Sequence, residues 1–264
     1  NTRAGLLEED KSAAIAFACD ELVAGELDDH FPLLVWQTGS GTQTNMNVNE
    51  VIANRAIQLL GGELGSQKPV APNDDVNKSQ SSNDSFPTAM HLAAIGALDA
   101  RLLPELESLA GAIEHKASGW MDVVKIGRTH LQDAVPLSVG QEWSAWAEAL
   151  RASIVDLGVA REGMMEIALG GTAVGTGLNA PEGFSEDVAK EIGRLTRLPI
   201  RTASNKFYAQ ATLDPILRFS ASLRGLAVAL IKIAEDLRWL ASGPRCGIGE
   251  LKLPENEPGS SIMP

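Results

Sequence analysis

The amino-acid sequence predicts an all-α fold: a bundle of long helices with a smaller, mainly helical N-terminal domain. In three stretches of about thirty residues, apolar residues recur every three or four positions, which predicts helices. These helices would be longer than most helices of globular proteins. The composition is rich in the helix formers Leu, Ala and Glu, with a single Tyr. Short mixed segments give way to long helices at a Pro- and Asn-rich stretch, 69–78. We therefore predict domains at residues 1–78 and 79–264.

The first predicted domain combines two helices with loops. An apolar stripe predicts a helix over 11–29, followed by a short extended piece at 33–36 and a loop of small polar residues at 38–45. Asn47 or Asn49 is predicted to cap the second helix, because Asn side chains accept hydrogen bonds from free helix N–H groups. Gly61 and Gly62 are predicted to end that helix, and residues 63–78 to form a loop.

The second predicted domain contains the long helices. They are predicted over 81–116, over 136–168 with Pro136 in the first turn, and over 214–241. A glycine-rich turn at 170–177 and a shorter helix at 184–196 separate the last two. Residues 242–264 carry many Gly and Pro residues and are predicted to be irregular.

Charge and composition exclude several classes of partner. The net charge of −12 argues against nucleic acid or an anionic membrane surface as the main partner. The sequence contains no run of 18 apolar residues, so it predicts no membrane span.

Cys19 and Cys246 fit a reducing compartment, so we expect a cytoplasmic protein, with a mitochondrial form as an alternative. The chain begins at Asn1 rather than Met, and we expect it to be a piece of a longer chain.

Four polar clusters interrupt the helical pattern, at 39–45, 77–84, 127–130 and 259–261. Each one taken alone is explained by helix capping, which Ser, Thr, Asn and Asp do well. Together they offer many hydroxyl and amide donors, one Arg and one His, a combination that suits a site for carboxylate groups. The histidines show no metal-ligand spacing, and the glycine-rich turn lacks the Lys-Ser/Thr ending of a phosphate loop, so we predict no metal and no nucleotide.

The clusters extend into longer motifs at 39–47, 72–77, 79–88, 127–134, 170–179 and 259–264. These motifs resemble those of the class II fumarate hydratases, in the fumarase/aspartase superfamily. The resemblance covers residues 36 to 264. It implies an internal piece of a chain nearly twice as long, a homotetramer, and active sites assembled from three subunits.

The activity implied by the resemblance is the reversible anti addition of water to fumarate, giving (S)-malate through an aci-carboxylate carbanion. This step belongs to the tricarboxylic acid cycle, and it needs no cofactor. The resemblance implies Ser260 as the general base and His130 as the residue that orients and activates water. It implies substrate-binding donors at Ser40, Thr42, Asn45, Ser81, Ser82, Asn83 and Thr129. We expect the piece alone to be inactive, because the family's substrate-binding lysine and asparagine follow Pro264.

One position departs from the family pattern. Relatives carry a histidine just before the Pro-Asn-Asp motif, where this chain has Ala71. In the family that histidine belongs to a second anion site, whose other residues correspond to Asn73 and Asp74. Because alanine brings neither positive charge nor a side-chain donor, we expect weaker anion binding there, and restored binding in Ala71→His.

Two other functions stay open at this stage. Aspartase or a related superfamily lyase would release ammonia or an amine, although the motifs at 39–44 and 85–90 look closer to fumarase. A protein of another class, a structural or oligomerisation helical bundle without catalysis, is the second alternative. The presence of His130 and Ser260 argues against it. Assays with fumarate and with aspartate distinguish these functions.

Overall fold

The computed structural model describes residues 1–254 and 259, and the predicted bundle of long helices is confirmed. The α-helices are α1 (Glu9–Val23), α2 (Thr42–Leu59), α3 (Ser82–Ala97), α4 (Leu103–Gly119), α5 (Val139–Gly163), α6 (Phe184–Thr196), α7 (Lys206–Ala211) and α8 (Asp214–Leu240). The strands are β1 (Val124–Thr129), β2 (Gln132–Ser138), β3 (Glu166–Ile167) and β4 (Arg201–Thr202). Short 3₁₀ helices span Thr2–Ala4 and Asp28–His30, and π-helical turns span Pro72–Val76 and Leu98–Leu102.

Contacts within the chain divide it into two compact units. The first unit contains residues 1–96 and 162–216, and the second contains 97–161 and 217–264. The chain therefore leaves the first unit and returns to it before the second is complete. The domain boundary predicted at residue 78 stays a prediction.

The core of the second unit lies between α4, α5 and α8. Leucines and isoleucines spaced by three or four residues face one another there, as the periodicity predicts. Trp143 packs between Trp120 and Trp146, with ring centroids 4.8 Å apart in both pairs. The Trp146 indole N–H donates to Asp236 Oδ2 at 3.1 Å, so that polar group is satisfied as well.

In the first unit, α1 packs on α2 through small residues. Ala14, Ala53 and Ala56 are buried beside Ile57 and Val70, and short side chains let the two backbones approach closely. β3 and β4 pair in parallel over two residues each and tie 166–167 to 201–202. None of the described helices is long and apolar enough to cross a bilayer.

Several local predictions are wrong. Helix α1 ends at Val23 rather than at residue 29. Helix α2 begins at Thr42, inside the stretch 38–45 predicted as a loop, so Asn47 and Asn49 lie within the helix rather than at its cap. Pro136 lies in β2, and α5 begins at Val139, because β1 and β2 form a two-stranded antiparallel hairpin. Proline is tolerated there because each strand of a two-stranded sheet has an edge that needs no N–H donor.

Candidate active site

Ser40 and Thr42 flank the start of α2. Ser40 Oγ lies 2.9 Å from Thr38 Oγ1, and the Thr42 hydroxyl donates to Ser40 Oγ at 3.5 Å. Gly41 between them has a φ of 72°, and a Cβ added there would lie 2.1 Å from Cγ of Phe86. Glycine therefore lets this hydroxyl-bearing loop lie directly against α3.

An amide network connects α2 to the beginning of α3. Asn45 Nδ2 donates to Ser82 Oγ at 2.9 Å and to Asn77 Oδ1 at 3.2 Å. Asn77 Oδ1 also accepts from Asn49 Nδ2 at 3.1 Å, and Asn45 Oδ1 accepts from the Ser85 hydroxyl at 3.1 Å. The Asn45 amide is thus engaged at both ends, and it holds the predicted site residue Ser82 in a fixed orientation.

Ser81, Asn83 and Asp84 form a capping box at the N-terminus of α3. Ser81 Oγ accepts from the backbone N–H of Asn83 at 3.2 Å, and Asp84 Oδ1 accepts from the backbone N–H of Ser81 at 2.9 Å. The Asn83 side chain reaches the glycine-rich turn, where its Nδ2 donates to the carbonyl of Ala173 at 2.8 Å. The three consecutive site residues predicted from sequence, Ser81, Ser82 and Asn83, therefore lie together at the N-terminus of α3.

Asp84 is the buried carboxylate at the centre of this arrangement, with 0% of its surface exposed. Its Oδ2 accepts from the backbone N–H groups of Gly170 at 3.0 Å and Thr172 at 2.7 Å. Burial raises the pKa of Asp84, although backbone hydrogen bonds from Ser81, Thr172 and Gly170 partly oppose the rise. Asp84 thereby fastens the glycine-rich turn to the start of α3.

A cavity of about 460 Å³ opens between these elements of the first unit. Ser40 and Asn83, from two different motifs, both line it. The other lining residues are Gly39, Phe86, Pro87, Met90, Ala173, Val174, Phe207, Gln210, Ala211, Thr212 and Leu213. The cavity has the size and the mixture of apolar walls with a few polar groups that small-molecule sites commonly have.

Thr129 and His130 lie in the second unit, at the tip of the β1–β2 hairpin. Thr129 pairs with Gln132, and His130 and Leu131 form the two-residue turn with φ values of 52° and 65°. Positive φ at both central residues matches the right-handed twist of hairpin strands. Both Thr129 and His130 are exposed, so their side chains are available to a ligand.

The remaining predicted site residues have different outcomes. Ser260 lies outside the described residues. Asn73 and Asp74 are exposed in the π-helical turn Pro72–Val76, where Asn73 Nδ2 donates to Asp74 Oδ1 at 3.1 Å. The Ala71 N–H donates to Asp75 Oδ2 at 2.8 Å, so that N–H is already used within the protein. The second anion site stays a prediction.

Sequence reasoning did not single out Asp84, Asn77 or Ser85. Asn77 and Ser85 hold the Asn45 amide by hydrogen bonds, and Asp84 holds the glycine-rich turn. The available signal was their position inside the predicted polar clusters, and it could not separate supporting residues from ligand-facing ones. Within residues 1–254 and 259, no group of three or more His, Cys, Asp or Glu side chains is placed to hold a metal ion.

His91 on α3 is buried in the first unit beside this site. Its Nδ1 lies 3.1 Å from the carbonyl oxygens of both Met164 and Glu166, so Nδ1 carries a hydrogen and donates. Burial lowers the pKa of His91, and the two carbonyls oppose this only in part.

The full-length protein should therefore lose stability as the pH falls from about 6.5, the ordinary pKa of histidine, toward the lower folded-state pKa. The unfolded chain takes up the His91 proton more readily than the folded one in that window, so acid favours unfolding. Urea unfolding at several pH values should give a shallower acid slope for His91→Gln, by up to about 1.4 kcal/mol per pH unit. The exposed residue His115 supplies the control, His115→Gln, and equal slopes in all three proteins would contradict this expectation.

Comparison with known proteins places this chain among lyases. A family model described as "Lyase" matches residues 1–264. A class II fumarate hydratase of Methanosarcina acetivorans is 60% identical over 264 residues, which are 100% of this chain and 54% of the relative. A mitochondrial fumarate hydratase of Danio rerio is 59% identical over 251 residues, 95% of this chain and 49% of the relative.

A solved structure agrees with these matches. The crystal structure of a recombinant class II fumarase from Schistosoma mansoni has a TM-score of 0.94 at 44% identity, covering 100% of this chain and 58% of that one. The chain spans about half the length of the curated relatives it matches. The resemblance to class II fumarate hydratases drawn from the six motifs is confirmed. The fold and the sequence together thus show that this chain belongs to the lyase family.

Proposed function

We propose that the full-length protein catalyses the reversible hydration of fumarate to (S)-malate and needs no cofactor. The observation that carries this proposal is that Ser40 and Asn83, hydroxyl and amide groups from separate motifs, line one cavity. Neutral donors of this kind suit a small carboxylate. Relatives named as class II fumarate hydratases, about 60% identical over the whole chain, support the same activity.

The chemistry explains why many donors are needed. In the dehydration direction, a base takes the proton from C3 of malate, and the electron pair of that bond moves into the neighbouring carboxylate as an aci-carboxylate dianion. The electron pair held in the aci-carboxylate then returns to form the C2–C3 double bond of fumarate, and the C2–O bond breaks. The departing hydroxide takes up a proton and leaves as water. Donors aimed at the developing negative charge lower the barrier most, because they are already oriented.

We assign roles accordingly. Ser260 is the proposed base, and His130 orients and activates water on the opposite face of the substrate. The proposed donors to the carboxylate groups are Ser40, Thr42, Ser81, Ser82, Asn83 and Thr129. Asn45 contributes through Ser82, because its amide nitrogen donates to Asn77 and Ser82 and its amide oxygen accepts from Ser85.

We further propose that the full-length protein forms a homotetramer through its long helices. Within the second unit, α5 exposes Val155 and Val159, and α8 exposes Val228 and Ile231, each more than half accessible. Apolar surface on successive turns of a helix is typical of contacts with further chains. A cytoplasmic location, with a mitochondrial form as the alternative, stays a prediction, as does the place in the tricarboxylic acid cycle.

The test is turnover by the purified full-length protein with fumarate, with aspartate and with argininosuccinate. Loss of the ultraviolet absorbance of fumarate and formation of (S)-malate are expected. Hydration in D₂O should place one deuterium at C3 in a single configuration. Faster ammonia release from aspartate would assign the protein to the aspartase branch, and inactivity with all three substrates would favour the non-catalytic alternative.

A further inference from the structure

An ion network in the second unit connects the hairpin with the segment that follows α8. Lys125 Nζ lies 2.6 Å from Glu250 Oε2 and 2.6 Å from Glu142 Oε2, and its side chain is 8% exposed. Arg128 Nη2 donates to the other oxygen of Glu250, Oε1, at 2.6 Å. Burial alone would raise the pKa of Glu250, but the hydrogen bonds from Arg128 and Lys125 outweigh it and lower the pKa.

The β1–β2 hairpin has a bulge between the positions of Lys125 and Arg128. The pairing passes from Ile126–Pro136 to Arg128–Asp133, so two residues of β2 lie opposite a single residue of β1, and the bulge is in β2. Gly127 lies at this point, and a Cβ there would be 2.6 Å from the carbonyl oxygen of Val135.

Backbone hydrogen bonds to the end of α8 hold the segment that carries Glu250. The backbone N–H groups of Glu250 and Leu251 both donate to the carbonyl of Leu240, the last residue of α8, at 2.8 and 3.1 Å. Ile248 and Leu251 pack against the core of the second unit on either side of Glu250. The carboxylate is therefore fixed relative to α8, whereas a two-stranded hairpin alone is marginally stable.

We propose that Glu250 is a positioning residue: by gripping Lys125 and Arg128, it fixes the hairpin whose tip presents Thr129 and His130 to the substrate. This inference rests on the proposed function for its catalytic meaning. Arg128 immediately precedes Thr129 and His130, so a loosened Arg128 moves both directly. Misplacement of a catalytic group by about 1 Å can cost a hundredfold in rate.

The experiment replaces Glu250 with Gln in the full-length protein, which keeps the shape and removes the charge. We expect kcat to fall about tenfold to a hundredfold, with KM changed by about threefold or less. Hydrogen–deuterium exchange of peptides covering 124–138 should accelerate, while exchange in α8 stays unchanged. Arg128→Gln should behave alike, and the double variant should be no worse than the more impaired single one, because both remove the same contact.

Glu235→Gln is the matched control, since Glu235 pairs with Arg238 on the exposed surface of α8. Glu250→Asp keeps the charge and takes the place of the Gln variant if the latter does not assemble. Unchanged kcat, or unchanged hairpin exchange, would overturn the positioning role. The exchange experiment does not depend on turnover, so it tests the coupling of Glu250 to the hairpin even in a protein that is inactive with fumarate. Such inactivity would refute the proposed function and not the coupling.

Discussion

Ser260→Ala in the full-length protein is expected to lower fumarate hydration about a hundredfold to ten-thousandfold, the usual contribution of a positioned general base. Alanine has no oxygen to accept the C3 proton of malate, while the donors for the carboxylate groups remain. Substrate binding should therefore change less than turnover. Steady-state rates in both directions, together with exchange of the C3 proton of malate in D₂O, measure the two separately.

Ser118→Ala provides a control for this substitution, because Ser118 is exposed and its hydroxyl donates to the carbonyl of Glu114 one turn earlier on α4. Circular dichroism and sedimentation should show that both variants keep the fold and assembly of the unaltered protein. Near-normal turnover of Ser260→Ala with C3 exchange intact would show that another group is the base.

Asp84→Ala should give the largest loss of stability among the substitutions considered, about 3–5 kcal/mol. Three backbone N–H groups, those of Ser81, Gly170 and Thr172, would lose their acceptor inside the protein. Each buried donor left unsatisfied costs about 1–3 kcal/mol. The total lies well below the upper sum because burying the Asp84 carboxylate is itself costly, as its raised pKa indicates.

Urea unfolding of the full-length protein at a fixed concentration measures this loss. Asp29→Ala is the comparison, since Asp29 is exposed and should change stability by about 0.5 kcal/mol or less. Asp84→Asn keeps the shape but turns one acceptor into a donor, so it should be intermediate. A loss below about 1 kcal/mol in Asp84→Ala would mean that water takes over the hydrogen bonds of the carboxylate. That result would contradict the expectation that Asp84 is needed to join the glycine-rich turn to α3.

Helices α6 and α8 could be predicted because their apolar spacing repeats over several turns. The expected helices at 184–196 and 214–241 match α6 and α8 closely, since several turns of apolar spacing outweigh any local irregularity. The hairpin was missed because each strand has few residues and Pro136 also suits a helix start. Pairing between Ile126 and Pro136 then decides the matter, and such pairing is a tertiary contact that no local pattern contains.

The site could be predicted as a set of residue types but not as an arrangement. Clusters of Ser, Thr and Asn identify groups able to donate hydrogen bonds. Their partners lie far along the chain: Asn45 meets Ser82 37 residues on, and Asp84 meets Thr172 88 residues on. Capping and ligand binding use the same side chains, so the sequence alone did not show that Asn45 supports Ser82.

The π-helical turn between α3 and α4 has a consequence for how the apolar pattern of this segment is counted. Leu98, Leu102, Leu106 and Ala110 follow one another at steps of four, and all are buried or packed against the core of the second unit. In a continuous α-helix each such step carries the stripe about 40° further around the axis, roughly 120° in total. The turn at Leu98–Leu102 closes its hydrogen bonds one residue later than an α-helix does, and so absorbs the surplus residue. The phase changes directly after residues 96 and 97, where the chain passes from the first unit to the second, and the apolar side of α4 stays turned toward the core of the second unit.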